Sequence, residues 1–196
     1  MSVLAEFAGV GLGLAYLLLA IRQQRAAWIA GAAASLIFVF LFREAGLTMQ
    51  ALLQLFYIAV AVHGFYHWGA AGDPEAPRPH RAPLTHHALW IVACVLLAAF
   101  TTLLQTGSSD IRTWLDGLSS WGGVLATLLV ARKVLESWLY WIVIDLLTTA
   151  LYLLASLYAT AALYAVYTIL AYIGYREWRK HHTNPSSPGS ATSANG

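Results

Sequence analysis

Residues Trp138–Tyr152 read W-L-Y-W-I-V-I-D-L-L-T-T-A-L-Y, and this stretch decides the environment of the chain and its fold. It is apolar enough to cross a membrane, yet Trp138, Trp141 and Asp145 recur at steps of three and four residues, on one face of a helix. A carboxylate inside an apolar span usually faces a helix bundle or a wet cavity, because lipid disfavours it. The stretch therefore predicts a site for a flat, polar or cationic ring. The alternative for Trp138 is an anchor at the membrane interface.

The composition indicates an integral membrane protein. The 196 residues are 59% hydrophobic and 10% charged, with a mean hydropathy of +0.64, whereas soluble domains carry roughly 25% charged residues. A net charge of +2 is too small to predict nucleic acid as a partner. The single cysteine excludes an intramolecular disulfide. The expected partners are the lipid bilayer and a small molecule.

Seven apolar segments are long enough to cross a bilayer, which takes about 17–25 residues. They cover residues 4–21, 26–42, 47–68, 88–104, 114–131, 138–154 and 157–178. The predicted fold is all-α with seven transmembrane helices in one domain, residues 1–182. The proline-rich stretch 69–87 is expected to be a loop, and the tail 183–196 is expected to be disordered and cytoplasmic.

The basic residues predict the orientation of these spans. Arg43 and Arg112 fall on the N-terminal side of the membrane. The opposite side holds Arg22, Arg25, Arg78, Arg81, Arg132, Lys133, Arg176, Arg179 and Lys180. Because cytoplasmic loops carry the excess of Lys and Arg, we expect the N-terminus outside and the C-terminus in the cytoplasm.

The chain repeats itself at a spacing of 110 residues. The most telling identities pair Gly13 with Gly123, Arg22 with Arg132, Trp28 with Trp138, Tyr57 with Tyr167, Gly64 with Gly174, and Trp68 with Trp178. Residues 4–68 then form repeat one, 114–178 repeat two, and 88–104 a connector helix. Three helices plus a connector restore the chain direction, so the repeats are expected to be parallel, as in the SWEET sugar transporters. Substrate in such folds lies between the repeats, so the repetition favours transport.

Polar side chains mark equivalent helices of the two repeats. Gln50, Gln54 and Tyr57 follow one face of the third span, and the counterparts of the last two are Tyr164 and Tyr167. Such groups need partners inside a membrane, and the alternative is hydrogen bonding between helices. Because both repeats carry them, we predict that all five side chains contact substrate.

Other functional classes find less support. His63 and His67 lie one turn apart without a third ligand at a recognisable spacing, so no metal or cofactor is predicted. A retinal photoreceptor needs a lysine within a span, and Lys133 and Lys180 lie in a loop and the tail. A histidine-rich di-iron enzyme needs more inward histidines, so no enzymatic activity is expected. A small-molecule sensor remains an alternative.

Three segments resemble the PnuC family of bacterial vitamin transporters. They are R-K-V-L-E-S-W-L-Y-W-I-V-I-D (132–145), Q-L-F-Y-I-A-V-A-V-H-G-F-Y-H-W (54–68) and L-Y-A-V-Y-T-I-L-A-Y-I-G-Y-R-E-W (163–178). The most specific feature is the W-x-x-W pair with a polar residue four positions on. The resemblance implies a 3+1+3 fold of seven helices, SWEET-like, in a homotrimer of the inner membrane. It also implies import of nicotinamide riboside by facilitated diffusion, with trapping by cytoplasmic phosphorylation.

The same resemblance implies a substrate site made by Gln54, Trp138, Trp141 and Asp145. Asp145 stands where many members have Asn, and related branches carry thiamine or riboflavin, so the vitamin stays open. Indoles bind cationic rings by cation–π contact, and a carboxylate suits a pyridinium or thiazolium better than neutral riboflavin. No G-x-x-x-x-G-K-[ST] run occurs, so ATP is not expected to drive transport from within this chain.

Overall fold

A computed structural model describes residues 3–44, 46, 48–69, 76–106 and 111–183. Within these residues there are seven α-helices and no strand: α1 Val3–Ile21, α2 Ala26–Glu44, α3 Thr48–His67, α4 Leu84–Thr106, α5 Ile111–Ala131, α6 Ser137–Leu154 and α7 Tyr158–Thr183. The predicted all-α class with seven helices is confirmed. Four of the described helices, α2, α4, α5 and α6, are long and apolar enough to cross a membrane by length and composition.

The largest boundary differences are at α7, which ends at Thr183, five residues after the predicted end, and at α4, which begins at Leu84, four residues before the predicted start. Pro83 precedes it, and the His86 main-chain N–H donates to the Pro83 carbonyl at 3.0 Å. Proline suits a helix start because the N–H that it lacks has no partner there. Residues 70–75 of the predicted loop and 184–196 of the predicted tail lie outside the described residues, so their states remain predictions.

Six of the described helices form a closed ring in the order α1, α2, α3, α5, α6, α7, and α4 packs on its outside against α5. Within each half the middle helix packs against both others. Between the halves, α3 contacts α5 and α7 contacts α1. These two contacts are equivalent under the 110-residue spacing. The orientation of the repeat axis relative to the membrane remains a prediction.

The helix ends repeat at the same spacing. Gln23 after α1 and Lys133 after α5 both have φ of 56°, and Gly46 and Ser156 have φ of 74° and 61°. At the first pair, the next residue donates its N–H to the carbonyl five residues back, at 3.0 Å in both cases. This is the Schellman helix ending, which places one residue in the left-handed region. The two halves therefore turn in the same way after their first helices.

Four buried tryptophans, here called the tryptophan cluster, form the centre of the core: Trp28, Trp68, Trp138 and Trp178, each at most 2% exposed. Ring centroids lie 5.3 Å apart for Trp28 and Trp68, 5.7 Å for Trp68 and Trp178, and 5.4 Å for Trp178 and Trp138. All three pairs meet edge to face, which adds roughly 0.5–1.5 kcal/mol per pair beyond burial. The cluster joins both halves through their third helices.

The third helix of each half also bonds to the first helix of the other half. The Trp68 Nε1 donates to the carbonyls of Val130 and Ala131 at 3.2 and 3.1 Å. The Trp178 Nε1 donates to the carbonyl of Ala20 at 3.0 Å, and position 20 is the counterpart of position 130. The last carbonyls of a helix lack partners within it. The indoles of one half therefore satisfy the helix end of the other.

The loop at residues 76–83 binds the connection between α5 and α6. His80 forms two main-chain hydrogen bonds across Val134, of 3.1 and 2.8 Å. The His182 ring nitrogen near the end of α7 lies 3.1 Å from the Pro79 carbonyl. Three segments that carry most of the basic residues are therefore gathered at one end of the molecule.

Candidate substrate site

A cavity of about 290 Å³ lies between the two halves, walled mainly by the first. Side chains from α1 and α2 that line it include Tyr16, Trp28, Ser35 and Phe38. Known small-molecule sites span roughly 300–1,000 Å³, so this one suits a single small molecule. None of its lining residues in the described part of the chain is acidic or basic.

The cavity brings together three of the predicted site residues: Gln54 and Tyr57 from α3, and Trp141 from α6. A Cβ atom placed on Gly123 would lie 3.6 Å from the Tyr57 hydroxyl and 3.7 Å from the Trp141 ring. The two rings therefore meet over Gly123 on α5. An indole, a phenol and an amide from two halves converge on one small volume.

Trp28 is a lining residue that was not assigned to the site from the sequence. It is 2% exposed and its Nε1 has no hydrogen-bond partner among the described residues. Tyr16 packs edge-on against it with ring centroids 5.6 Å apart. An unpaired buried N–H is costly, and Trp28 lines the cavity while its N–H stays buried. Its pairing with Trp138 at the 110-residue spacing was the signal available in the sequence.

Trp138 does not line the cavity. It is 1% exposed within the tryptophan cluster, and a Cβ on Gly174 would lie 2.6 Å from its ring. Gln50 is exposed at the start of α3, about one turn before Gln54. The assignment of Trp138 and Gln50 to the substrate site remains a prediction.

Asp145, Tyr164 and Tyr167 form a second polar group in the other half. Asp145 is 4% exposed, and both tyrosines lie close enough to interact with it electrostatically. The Tyr164 and Tyr167 ring centroids are 5.5 Å apart. This group lies beside the cavity rather than on its described wall, so its role in binding also remains a prediction.

The repeat at a spacing of 110 residues explains why some predicted site residues line the cavity and others lie in the second half. Four cavity residues have counterparts that were themselves predicted for the site: Trp28 with Trp138, Ser35 with Asp145, Gln54 with Tyr164, and Tyr57 with Tyr167. The predicted site residues of the two halves thus include equivalent positions, and the cavity is lined mainly by the first half.

An exchange of large and small residues makes the halves differ. The first half has Tyr16 and Gly31 where the second has Ala126 and Trp141. The Tyr16 ring occupies the space beside Gly31, where a Cβ would lie 3.0 Å from it. In the second half the large side chain comes from α6 and reaches across to the cavity. Trp141 is therefore a side chain of the second half that lines a cavity formed mainly by the first half.

A larger groove of about 780 Å³ lies outside the ring between α4, α5 and α6. Its wall is aliphatic except at one end, where His87 and Tyr140 form a hydrogen bond of 2.9 Å. The smaller cavity, with its converging polar groups, is the candidate substrate site.

Comparison with known proteins agrees with this architecture. The chain matches the family described as "Nicotinamide mononucleotide transporter" over residues 3–180. It belongs to that family. Two relatives are nicotinamide riboside transporters PnuC, from Escherichia coli (strain K12) and Shigella flexneri. Each is 24% identical over 171 residues, covering 72% of this chain and 71% of the relative.

A solved structure also resembles this member of the family. The crystal structure of the vitamin B3 transporter PnuC matches with a TM-score of 0.69 at 22% identity, covering 93% of this chain and 83% of the other. At that identity the likeness shows the fold. The resemblance to the PnuC family inferred from the three sequence segments is confirmed.

Proposed function

We propose that this protein imports nicotinamide riboside, with thiamine as the second candidate. The observation that carries the proposal is the cavity between the repeated halves, whose wall is aromatic and amide and, among the described residues, has no basic side chain. The curated relatives named for nicotinamide riboside support it. A sensor would not need two repeated halves around a small cavity, so transport is preferred.

The charge of the cavity supports the riboside over the mononucleotide as the proposed substrate. The family description names the mononucleotide, whereas the relatives are named for the riboside. A phosphate group requires cations or several N–H donors around it, and the described lining has no Lys, Arg or His. Asp145 lies one turn beyond Trp141, and its carboxylate, when ionised, would add negative charge nearby. A cationic nucleoside therefore fits better than its phosphate ester.

The lining groups match the parts of such a molecule. Trp141 can stack on the pyridinium, a contact of roughly 0.5–2 kcal/mol. Gln54 presents an amide to the carboxamide, and the Tyr57 hydroxyl presents a partner for a ribose hydroxyl. Tyr164 and Tyr167 are proposed to hold the Asp145 carboxylate that attracts the cation. Contact of Trp138 or Gln50 with substrate would require an arrangement other than the one described.

The proposed mechanism is facilitated diffusion by rocking of the two halves, with phosphorylation in the cytoplasm trapping the substrate. In proteoliposomes the internal concentration of labelled substrate should rise to the external one and stop there. Ionophores should not change that level. Accumulation above the external concentration under an ion gradient would refute the uncoupled mechanism while leaving transport itself intact.

The proposed setting is the bacterial inner membrane, with the N-terminus outside, the C-terminus in the cytoplasm, and a homotrimeric assembly. Arg112 bonds to the Leu154 carbonyl at 2.9 Å, which places one of the two outer arginines beside the end of α6. The loop 76–83 and the end of α7 meet at the opposite end, where basic residues concentrate. Mass measurement of the purified protein in detergent tests the trimer.

Uptake of radiolabelled nicotinamide riboside by proteoliposomes tests the proposed site. Gln54→Ala and Trp141→Phe should each lower the initial rate roughly tenfold or more, since each loses about 1–2 kcal/mol of contact. Gln24→Ala, in an exposed loop, and Trp90→Phe, on the outer helix α4, are the matched controls. Unlabelled riboside should compete at least tenfold better than the mononucleotide. Equal losses in site and control variants would refute the site.

A further inference from the structure

Lys133 is a buried cation without an anionic partner. The residue is 5% exposed, and its Nζ lies 5.1 Å from the centre of the Trp68 ring. Across the described residues no carboxylate forms an ion pair with it. A buried charge is normally paired because its desolvation is costly. Cation–π contact with one indole offsets only part of that cost.

The charged neighbours of Lys133 have the same sign or can acquire it. His67 at the end of α3 interacts electrostatically with Lys133, with Arg132 and with His80 from the loop 76–83. His67, His80 and Arg132 are exposed around the buried lysine. The nearest acidic side chain along the chain, Glu136, accepts a hydrogen bond from the Ala82 N–H at 3.3 Å and lies 3.9 Å from Arg81. The Glu136 carboxylate therefore already has partners other than Lys133.

The backbone does not require a lysine here. Lys133 occupies the left-handed position of the turn after α5, where glycine is the most favourable residue. Its counterpart Gln23 has the same φ of 56° and carries no charge. Burial also lowers the pKa of Lys133 below its usual value. A strained backbone position, a buried charge and like-signed neighbours together are typical of a functional site rather than a structural one.

We propose that His67, His80, Arg132 and Lys133, here called the Lys133 cluster, bind a phosphate group. Ammonium and guanidinium groups are the usual donors to phosphate oxygens. Three separate segments supply them, so the group would be held from several sides. The source is either free phosphate or the phosphate of an anionic lipid headgroup on the side expected to be cytoplasmic. The site is distinct from the substrate cavity, whose described wall has no basic residue.

Thermal unfolding of the full chain in a non-ionic detergent tests the proposal with two probes at constant ionic strength. One is inorganic phosphate and the other is phosphatidylglycerol in mixed micelles, with phosphatidylcholine as the neutral lipid. A probe at about a hundredfold excess over its Kd should raise the unfolding temperature by about 5–10 °C. A shift with phosphate assigns a free phosphate ligand, and a shift with phosphatidylglycerol alone assigns the lipid headgroup.

Variants decide whether the effect belongs to the cluster. Lys133→Met should weaken binding of the effective probe roughly tenfold to hundredfold, and Lys133→Arg should retain most of it. Gln23→Met changes the equivalent turn and should bind as the native protein does. Arg132→Gln, at an exposed position, provides a second test if Lys133→Met does not fold. The proposal is overturned if neither probe shifts the unfolding temperature, or if the shift is the same in Lys133→Met and the native protein.

Discussion

Replacement of Gly64 by alanine is expected to destabilise the protein, although alanine is the better helix former. Gly64 lies in the middle of α3 against the face of the Trp28 ring. An added Cβ would lie 2.3, 2.5 and 2.6 Å from three atoms of that ring. Unstrained carbon contacts begin at about 3.5 Å, so the ring or the helix must move by about 1 Å.

The ring has little freedom to move. Trp28 is 2% exposed, with Trp68 at a centroid distance of 5.3 Å and Tyr16 at 5.6 Å. Overpacking of this kind costs about 1–3 kcal/mol, and we take the upper end because the neighbours are rigid rings. Replacing a helical glycine by alanine favours the helix by about 1 kcal/mol. The net loss of unfolding free energy is about 2 kcal/mol, which lowers the unfolding temperature by about 4–8 °C for a chain of this size.

Tryptophan fluorescence during thermal unfolding in detergent measures this change. Gly174→Ala should behave like Gly64→Ala, because its Cβ would lie 2.6 Å from the Trp138 ring. Gly11→Ala is the control, since it lies in α1 and no atom of the described residues lies within 4 Å of the added Cβ. Only Gly64→Ala should also lower uptake, because Trp28 lines the cavity. The reasoning is refuted if Gly64→Ala unfolds at the same temperature as Gly11→Ala.

Four other outcomes are expected. Asp145→Asn should weaken binding of a cationic vitamin roughly tenfold in calorimetry and spare a neutral analogue; equal losses would mean that the carboxylate acts by hydrogen bonding or folding. Gly13→Leu places a side chain in open space at the cavity wall, so uptake should stop without a fall in unfolding temperature, and unchanged uptake would contradict the site. Trp68→Phe and Trp178→Phe each lose an indole hydrogen bond to main-chain carbonyls and should each lower the unfolding free energy by about 1–2 kcal/mol; no change in thermal unfolding would count against these bonds. A reporter fused after Lys180 should be active only in the cytoplasm, and a signal confined to the periplasm would invert the proposed topology.

Hydropathy was sufficient to predict the seven helices because each apolar segment is separated from the next by charged or turn-forming residues. The start of α4 was predicted late, since Leu84–His87 carries polar residues that a hydropathy window excludes. The backbone conformation of the turns after α1 and α5 was harder to predict from the sequence. Gln23 and Lys133 adopt the left-handed conformation without being glycine, so residue type alone does not mark them.

The sequence could predict helix faces but not the shape of the cavity between them. Periodicity identifies which face of a helix is polar or aromatic, and three residues predicted on that basis, Gln54, Tyr57 and Trp141, line one cavity in the structure. Periodicity does not show how much volume the opposing helix fills. That depends on exchanges such as Gly31 for Trp141, and so the sequence did not indicate that Trp138 packs in the core while Trp28 lines the cavity.

The reciprocal indole bonds bear on the order in which the chain can complete its fold during synthesis. Trp68 is made before its acceptors, which follow it by 62 and 63 residues. Trp178 is made long after its acceptor, 158 residues earlier. The first three helices therefore enter the membrane with an indole donor and a helix end that only later segments can satisfy. During synthesis, the Trp68 hydrogen bonds cannot form until α5 has been made, and the Trp178 hydrogen bond cannot form until α7 has been made.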